Sequence, residues 1–266
     1  MKVVLLTGAS QGIGYELAKF LNDKGYKVYG VSRSSFELEG VTHLKGDVTN
    51  EDEMRKLVSN LIKETGKIDI LINNAGMGIS GSVEGTKLNE LKMMFDVNLF
   101  GAFNMVKQVL PFMREKEYGK IINIGSVASE FSIPFQTFYS ASKSALKTFS
   151  EGLLNEVSPY GIGVSTILPG DIKTNFTKNR RKNIDEIKTY ENRVEKSVSQ
   201  MEKDEQNGLS VHYASKVIYK VIKRKRMPLV KTIGVQYKFL IFLKRFLPEK
   251  LVNKIVGMMY GFKNVK

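Results

Sequence analysis

A glycine-rich turn falls between the first apolar run of the chain and its first helix-length stretch. Residues 2–6 are strand-like, and Thr7-Gly8-Ala9-Ser10-Gln11-Gly12-Ile13-Gly14 follows, leading into a stretch of helical period over residues 12–24. Each glycine has a use. Gly8 permits a sharp turn, Gly12 lets backbone approach a pyrophosphate, and Gly14 lets the helix sit close to the strand. The free amides and positive end of the helix then suit a phosphate group. The spacing is Gly-x-x-x-Gly-x-Gly, and no Lys-Ser or Lys-Thr pair follows it as in the Walker loop.

The rest of the first two thirds repeats the strand-then-helix rhythm. Residues 27–31 and the short run 43–46 read as strands. Residues 51–64 form an amphipathic helix with Met54, Leu57, Val58, Leu61 and Ile62 on one face. Asn50 is its expected cap, and Asp52 and Glu53 suit the helix dipole. A strand over 68–72, a long helix near 88–113, a strand over 120–124, a helix over Thr137–Val157 and a strand over 163–168 complete the pattern. Pro159 and Pro169 fall where the last of these elements should stop. Such alternation predicts an α/β fold, a doubly wound parallel sheet with helices on both faces.

Composition removes several classes of function. The chain of 266 residues has no cysteine, which excludes thiol catalysis and cysteine-based metal sites, and a cytoplasmic address is the simplest fit. Only two histidines, His43 and His212, are available, so no metal site is expected. Met1 and Lys2 run straight into an apolar strand, so no signal peptide is expected. The longest aliphatic or aromatic run, residues 239–243, is too short to span a bilayer.

A second set of residues accompanies the glycine loop. Asn73-Asn74-Ala75-Gly76 ends the fourth strand, Asn98 lies in a helix, Ser126 follows the fifth strand, and Tyr139 and Lys143 are four apart on the next helix. Pro169-Gly170 follows the sixth strand, with Ile172 and Thr174 beyond it. In this order, over residues 1–175, the set resembles the landmarks of the short-chain dehydrogenase/reductase family. The resemblance implies a Rossmann-type sheet, a nicotinamide dinucleotide, and oxidation or reduction at a carbonyl or secondary alcohol. It implies catalytic roles for Asn98, Ser126, Tyr139 and Lys143. Cofactor contacts would come from Thr7, Gly8, Ser10, Gln11, Gly12, Ile13 and Gly14 in the loop, Asp47 and Val48 at the adenine, and Asn73, Ala75 and Gly76 after the fourth strand. Pro169, Gly170, Ile172 and Thr174, together with Tyr139 and Lys143, would complete the contacts.

The residue types suit that chemistry. Tyr139 and Lys143 share a helix face. An ammonium beside a phenol lowers the phenol's pKa from about 10 toward the range useful for proton transfer. Ser126 would hydrogen-bond the carbonyl oxygen, and by resemblance Asn98 would anchor a proton-relaying water. At the end of the second strand Ser32 stands where an acid would bind a ribose 2′-hydroxyl, and Arg33 follows it. That combination favours NADP(H) over NAD; Glu37 and Glu39 remain as ribose partners if the strand runs longer. No Gly-x-Ser-x-Gly elbow surrounds Ser126, which disfavours a hydrolase. A non-catalytic, cofactor-binding scaffold of the same fold is the alternative, against which the complete Asn-Ser-Tyr-Lys set stands.

Residues 1–266 are expected to form one dinucleotide-binding domain, with 174–210 as a polar substrate lid and 228–266 as a C-terminal extension. Met77, Gly78, Ile79, Val127, Phe131, Phe135 and Phe138 are the expected pocket walls, suited to a lipophilic substrate. The charge is lopsided. Residues 1–170 hold 18 basic and 18 acidic side chains, whereas residues 216–266 hold 14 basic ones against Glu249 alone. The Lys223-Arg224-Lys225-Arg226 run comes without a nucleic-acid motif, so no nucleic-acid partner is expected. Apolar residues interleaved with lysines over 235–259 suit helices packed on the body or a weak contact with an anionic membrane surface. A homodimer or homotetramer is expected from the resemblance.

Overall fold

The computed structural model describes residues 1–183, 190 and 192–260, except for the side chains of residues 177 and 178. The chain runs β1 (Val3–Thr7), α1 (Gly12–Asp23), β2 (Lys27–Ser32), β3 (Val41–Lys45), α2 (Glu51–Thr65), β4 (Ile70–Asn73) and β5 (Ile79–Gly81). It continues through α3 (Leu88–Phe95), α4 (Gly101–Glu115), β6 (Gly119–Ile124), α5 (Thr137–Val157) and β7 (Ile162–Pro169). Then come α6 (Phe176–Asn179), β8 (Arg181–Asn183), α7 (Arg193–Gln206), α8 (Val211–Ile222), β9 (Val230–Ile233), α9 (Val235–Lys244) and α10 (Glu249–Met259).

Seven strands form one parallel sheet in the order β3-β2-β1-β4-β6-β7-β9. The order reverses between β1 and β4, and in a doubly wound sheet a crevice opens there above the carboxyl ends of the strands. Alternate residues of β1 divide the core. Val3 and Leu5 face a cluster built with Met54 and Val58 of α2, Met105 and Val109 of α4 and Leu153 of α5. Val4 and Leu6 face the other side, against Leu17 and Leu21 of α1 and Ile218 and Val221 of α8. Each such fully buried side chain is worth about 1.5–3 kcal/mol, so both helix layers are held by burial on a strand with no polar residue before Thr7.

Local signals set the helix ends. Asn50 accepts from the Glu53 amide, as expected of a cap. Gly66 closes α2 at φ +69°, where a side chain would be strained. The helix expected over 88–113 is interrupted: residues 96–100 form a π-helical turn between α3 and α4. That wider turn carries Asn98 inward, and such bulges are frequent at functional sites.

The end of the chain differs from expectation in one respect. Residues 230–233 do not belong to an appended segment but form β9, paired with β7 from Thr166↔Val230 to Pro169↔Ile233. The extension beyond the sheet therefore begins at Gly234 and not at residue 228. Lys120 ties this region to the sheet, donating to the carbonyls of Ile222 and Arg224 at the end of α8. Of the expected lid, α6, β8 and α7 are described, β8 pairing with β5 in a small second sheet; residues 184–189 and 191 lie outside the described residues. Residues 261–266 of the extension do too. Among the described residues, no helix is long and apolar enough to cross a membrane.

Gly14 offers a direct test of this packing. A Cβ there would fall 2.2 Å from the Gly8 carbonyl oxygen and 2.5 Å from Asn74 Nδ2. Gly14→Ala should lower the unfolding midpoint by the equivalent of about 1–3 kcal/mol, the usual cost of overpacking. A denaturant titration reads it, and an unchanged midpoint would mean that α1 can retreat freely from β1.

Candidate active site

The loops after β1 and β4 are locked together. Thr7 Oγ1 accepts from the amides of Asn74 and Ala75 at 3.0 and 3.1 Å, and Asn74 Nδ2 donates to the carbonyls of Thr7 and Gly8. Gly8 adopts φ +67°, and a Cβ on it would come within 2.9 Å of the Ala75 backbone. This clamp forms the floor of a cleft of about 320 Å³. Thr7 and Gly14 therefore build the floor without lining the cleft.

Ser10, Gln11, Gly12 and Ile13 line the cleft at the start of α1, with Gly8 beside them. Gln11 caps α1 without a side-chain hydrogen bond, leaving the first amides of the helix available to an anion. Thr174 stands across from Gly12, at 3.6 Å from where a Cβ would be. At one end lie Ser32, Arg33, Asp47 and Val48. Ser32 spends its hydroxyl on the Ser34 carbonyl, 2.7 Å away. Arg33 is 75% exposed at its side chain and only 4.0 Å from the Asp47 carboxylate, a loose pair that leaves the guanidinium open to a second anion. Glu37 and Glu39 are not among the lining residues.

At the other end the cleft is lined by Ala75, Gly76, Ser126, Tyr139, Lys143, Pro169, Gly170 and Ile172. The helix α5 carries Tyr139 and Lys143 on one face, and Lys143 Nζ lies 5.9 Å from the centre of the Tyr139 ring. Lys143 donates to the Ile124 carbonyl at 3.0 Å. Burial pulls its pKa down to about 8. Burial also pushes Tyr139 upward, opposed by a hydrogen bond with Ser126 and by the nearby charge of Arg180. The expected lowering of Tyr139 is not seen in the protein alone, because desolvation of the phenolate outweighs the Ser126 hydrogen bond and the Arg180 charge. Ser126 also accepts from the Ala128 amide at 3.1 Å, so its hydroxyl is oriented by the turn it caps.

Two expected site residues point elsewhere. Asn73 is buried beneath the cleft and donates to Asn123, whose own amide reaches Ser150 on α5. It ties β4, β6 and α5 together, and Asn74 takes its expected place on the lining. Asn98 accepts from the Met77 amide at 2.8 Å and donates to the Met77 carbonyl and to Ser142. It does not line the cleft; it fixes the loop that carries Gly76. A Cβ on Gly76 would lie 3.3 Å from Asn98 Oδ1 and 3.4 Å from Lys143 Nζ.

Of the expected walls, Val127 lines the cleft, while Met77, Gly78, Ile79, Phe131, Phe135 and Phe138 do not. Phe135 packs edge-on against Tyr190 beside Val194, Val198 and Met201. Phe131 lies under Lys244. Lining residues missed from sequence include Gln136, Asp171, Phe176 and Glu205. The Phe176 ring sits 5.9 Å from that of Tyr139. Glu205, far along the chain on α7, pairs with the buried Arg180. Asp171 directly follows Pro169-Gly170, a position that could have suggested it; the other three carry no local signal. Among the described residues, no group of three histidine, aspartate or glutamate side chains is arranged to hold a metal ion.

A model of the short chain dehydrogenase family matches residues 2–185. The chain belongs to the short-chain dehydrogenase/reductase family. This family member is 40% identical to the 3-ketodihydrosphingosine reductase of Bacteroides thetaiotaomicron, over 98% of this chain and 99% of that one. It resembles the crystal structure of a short-chain dehydrogenase from Streptomyces avermitilis with a TM-score of 0.84 and 29% identity, covering 92% and 93% of the two chains. It also resembles ElxO with NADP bound, with a TM-score of 0.75 and 25% identity over 90% and 99%. Solved structures of this fold carry NADP in some cases and NAD in others.

Proposed function

We propose that this protein is an NADP(H)-dependent reductase of a carbonyl group on a lipophilic substrate, working in reverse on the matching secondary alcohol. The observation that carries the reading is the meeting of the Ser126 and Tyr139 hydroxyls beside Lys143, at one end of a cleft whose middle is a helix N-terminus. The cleft fits a dinucleotide by its own chemistry. Glycine backbone and the amides at the start of α1 would hold the pyrophosphate, Arg33 the adenosine end, and Gly76, Lys143, Pro169 and Gly170 the reactive end. The nicotinamide, when bound, supplies or accepts the hydride.

The chain's own residues handle the proton and the oxygen. In reduction, Tyr139 gives its proton to the carbonyl oxygen, and its raised pKa keeps it protonated until that moment. Ser126 donates to the same oxygen as charge develops there. Lys143, as the ammonium, stabilises the tyrosinate that remains. Asn98 is a positioning residue, holding the Met77 backbone so that Gly76 stays beside Lys143. Thr174, Phe176 and Glu205 line the cleft from the segment after β7, and we read the described part of that segment as its cover.

A long-chain ketone is the favoured substrate class, supported by the full-length likeness to a protein named for 3-ketodihydrosphingosine. The lack of cysteine fits a cytoplasmic address, and exposed Phe100 and Phe103 fit a face shared between copies in a homo-oligomer. Turnover is tested by following oxidation of NADPH and of NADH across lipophilic ketones, 3-ketodihydrosphingosine among them. Tight NADPH binding with no turnover of any ketone would favour the scaffold alternative.

Arg33→Ala tests the cofactor choice. A charge-assisted phosphate contact is worth about 1.5–3 kcal/mol, so NADPH affinity should fall roughly tenfold or more while NADH affinity stays nearly constant. Titration of cofactor fluorescence reads both, and equal losses would remove Arg33 from the 2′-phosphate.

A further inference from the structure

Among the described residues, the last two helices each carry large apolar side chains that stay exposed. No residue of α9 is buried. Val235, Phe239 and Phe242 recur at helical spacing on α9, Phe246 follows in the turn beyond it, all four are 54–74% exposed, and Phe242 and Phe246 stack edge-on. Lys238 and Arg245 stand exposed among them. On α10, Leu251, Met258 and Met259 are exposed near Lys250 and Lys254. Residues 235–259 hold five basic side chains against Glu249. A soluble helix ordinarily turns such residues inward. Here the opposite side of α9 is the anchored one. Tyr237 donates to Asp171 on the cleft lining, and Lys244 donates to the Glu130 carbonyl and lies over the Phe131 ring, in the loop that begins at Ser126.

From this we infer that the outer face of α9, extended by α10, docks on the surface of an anionic lipid bilayer. Aromatic side chains would enter the headgroup boundary while Lys238, Arg245, Lys250 and Lys254 meet anionic headgroups. The charge argues for lipid over a second copy of the chain, because two copies would bring like charges together on this face. Docking here sets the cleft, whose lining includes Asp171, Ser126 and Val127, beside the layer from which an apolar substrate would arrive. The inference does not depend on the proposed reaction, since binding is read without turnover.

Sedimentation with vesicles of phosphatidylglycerol or of phosphatidylcholine tests it. The protein should sediment with phosphatidylglycerol at low salt, be released at high salt, and bind phosphatidylcholine weakly. Replacing Phe239, Phe242 and Phe246 together by serine should lower the partition coefficient roughly tenfold or more. Lys238→Gln with Arg245→Gln, which leaves the apolar face intact, should weaken binding and flatten its salt dependence. NADPH binding and the unfolding midpoint serve as folding controls for both variants. Three outcomes overturn the inference: wild-type protein left in the supernatant with phosphatidylglycerol, triple-serine protein that is folded and binds like wild type, or a triple variant that turns from dimer to monomer with vesicle binding unchanged.

Discussion

Tyr139→Phe should abolish measurable turnover, a loss of about 10²–10⁴-fold in kcat, while NADPH binds as before. The substitution removes one hydroxyl from a ring that packs against Phe176, and the ring itself stays. Ser126 keeps the Ala128 amide as a partner, so no buried group is stranded. What disappears is the proton that the carbonyl oxygen must receive. Because burial holds the Tyr139 pKa up, the wild-type enzyme should reduce ketones across neutral pH. It should oxidise alcohols better as pH rises, since the tyrosine must first lose its proton to act as a base. Steady-state rates in both directions, with NADPH titrated separately, check this. Lost NADPH binding in a folded Tyr139→Phe protein would reassign the residue to the cofactor, and retained turnover would remove it from catalysis.

The sheet was readable from residues because its strands are short, apolar and separated by periodic helices. The glycine loop was readable because each glycine answers a separate backbone demand, seen in the 2.2 Å between the Gly8 carbonyl and a Cβ on Gly14. β9 was missed because Val230-Lys231-Thr232-Ile233 is an edge strand with only Ile233 buried, so its pattern is no more apolar than a loop. The break between α3 and α4 was invisible for another reason. A π-helical turn changes the phase of a helix by one residue, and Val97 and Leu99 around Asn98 keep the apolar pattern running through it. Asn73 and Asn74 were indistinguishable as neighbours of one type until the strand's alternation sent Asn73 beneath the cleft and Asn74 into it. The far wall, Phe176 and Glu205, depends on how distant segments fold over the cleft, and periodicity within either segment carries nothing about that. By type alone the phenylalanines of 131–138 suit the walls of a pocket for an apolar substrate. The structure gives Phe135 to the cluster under α7 and Phe131 to Lys244, contacts made with residues more than fifty positions away.

Lys143→Ala should lower kcat/KM for ketone reduction by about a hundredfold and change the shape of its pH dependence. Burial disfavours the ammonium and brings the Lys143 pKa down to about 8. Below that pH the side chain is charged and supports the tyrosinate formed as the proton leaves. Above it the amine is neutral and the support is gone. The wild-type rate should therefore fall as pH rises through about 8. In Lys143→Ala no lysine titrates in the site, so the alkaline fall should move upward, to where Tyr139 itself loses its proton. The substitution leaves the Ile124 carbonyl without its partner, which costs about 1–3 kcal/mol of stability and is read separately by the unfolding midpoint. Activity loss from instability would scale all pH values alike, whereas loss of the cation moves the alkaline limb. A variant that keeps the limb near the wild-type position would show that another group titrates there and that Lys143 serves only to hold α5 against β6.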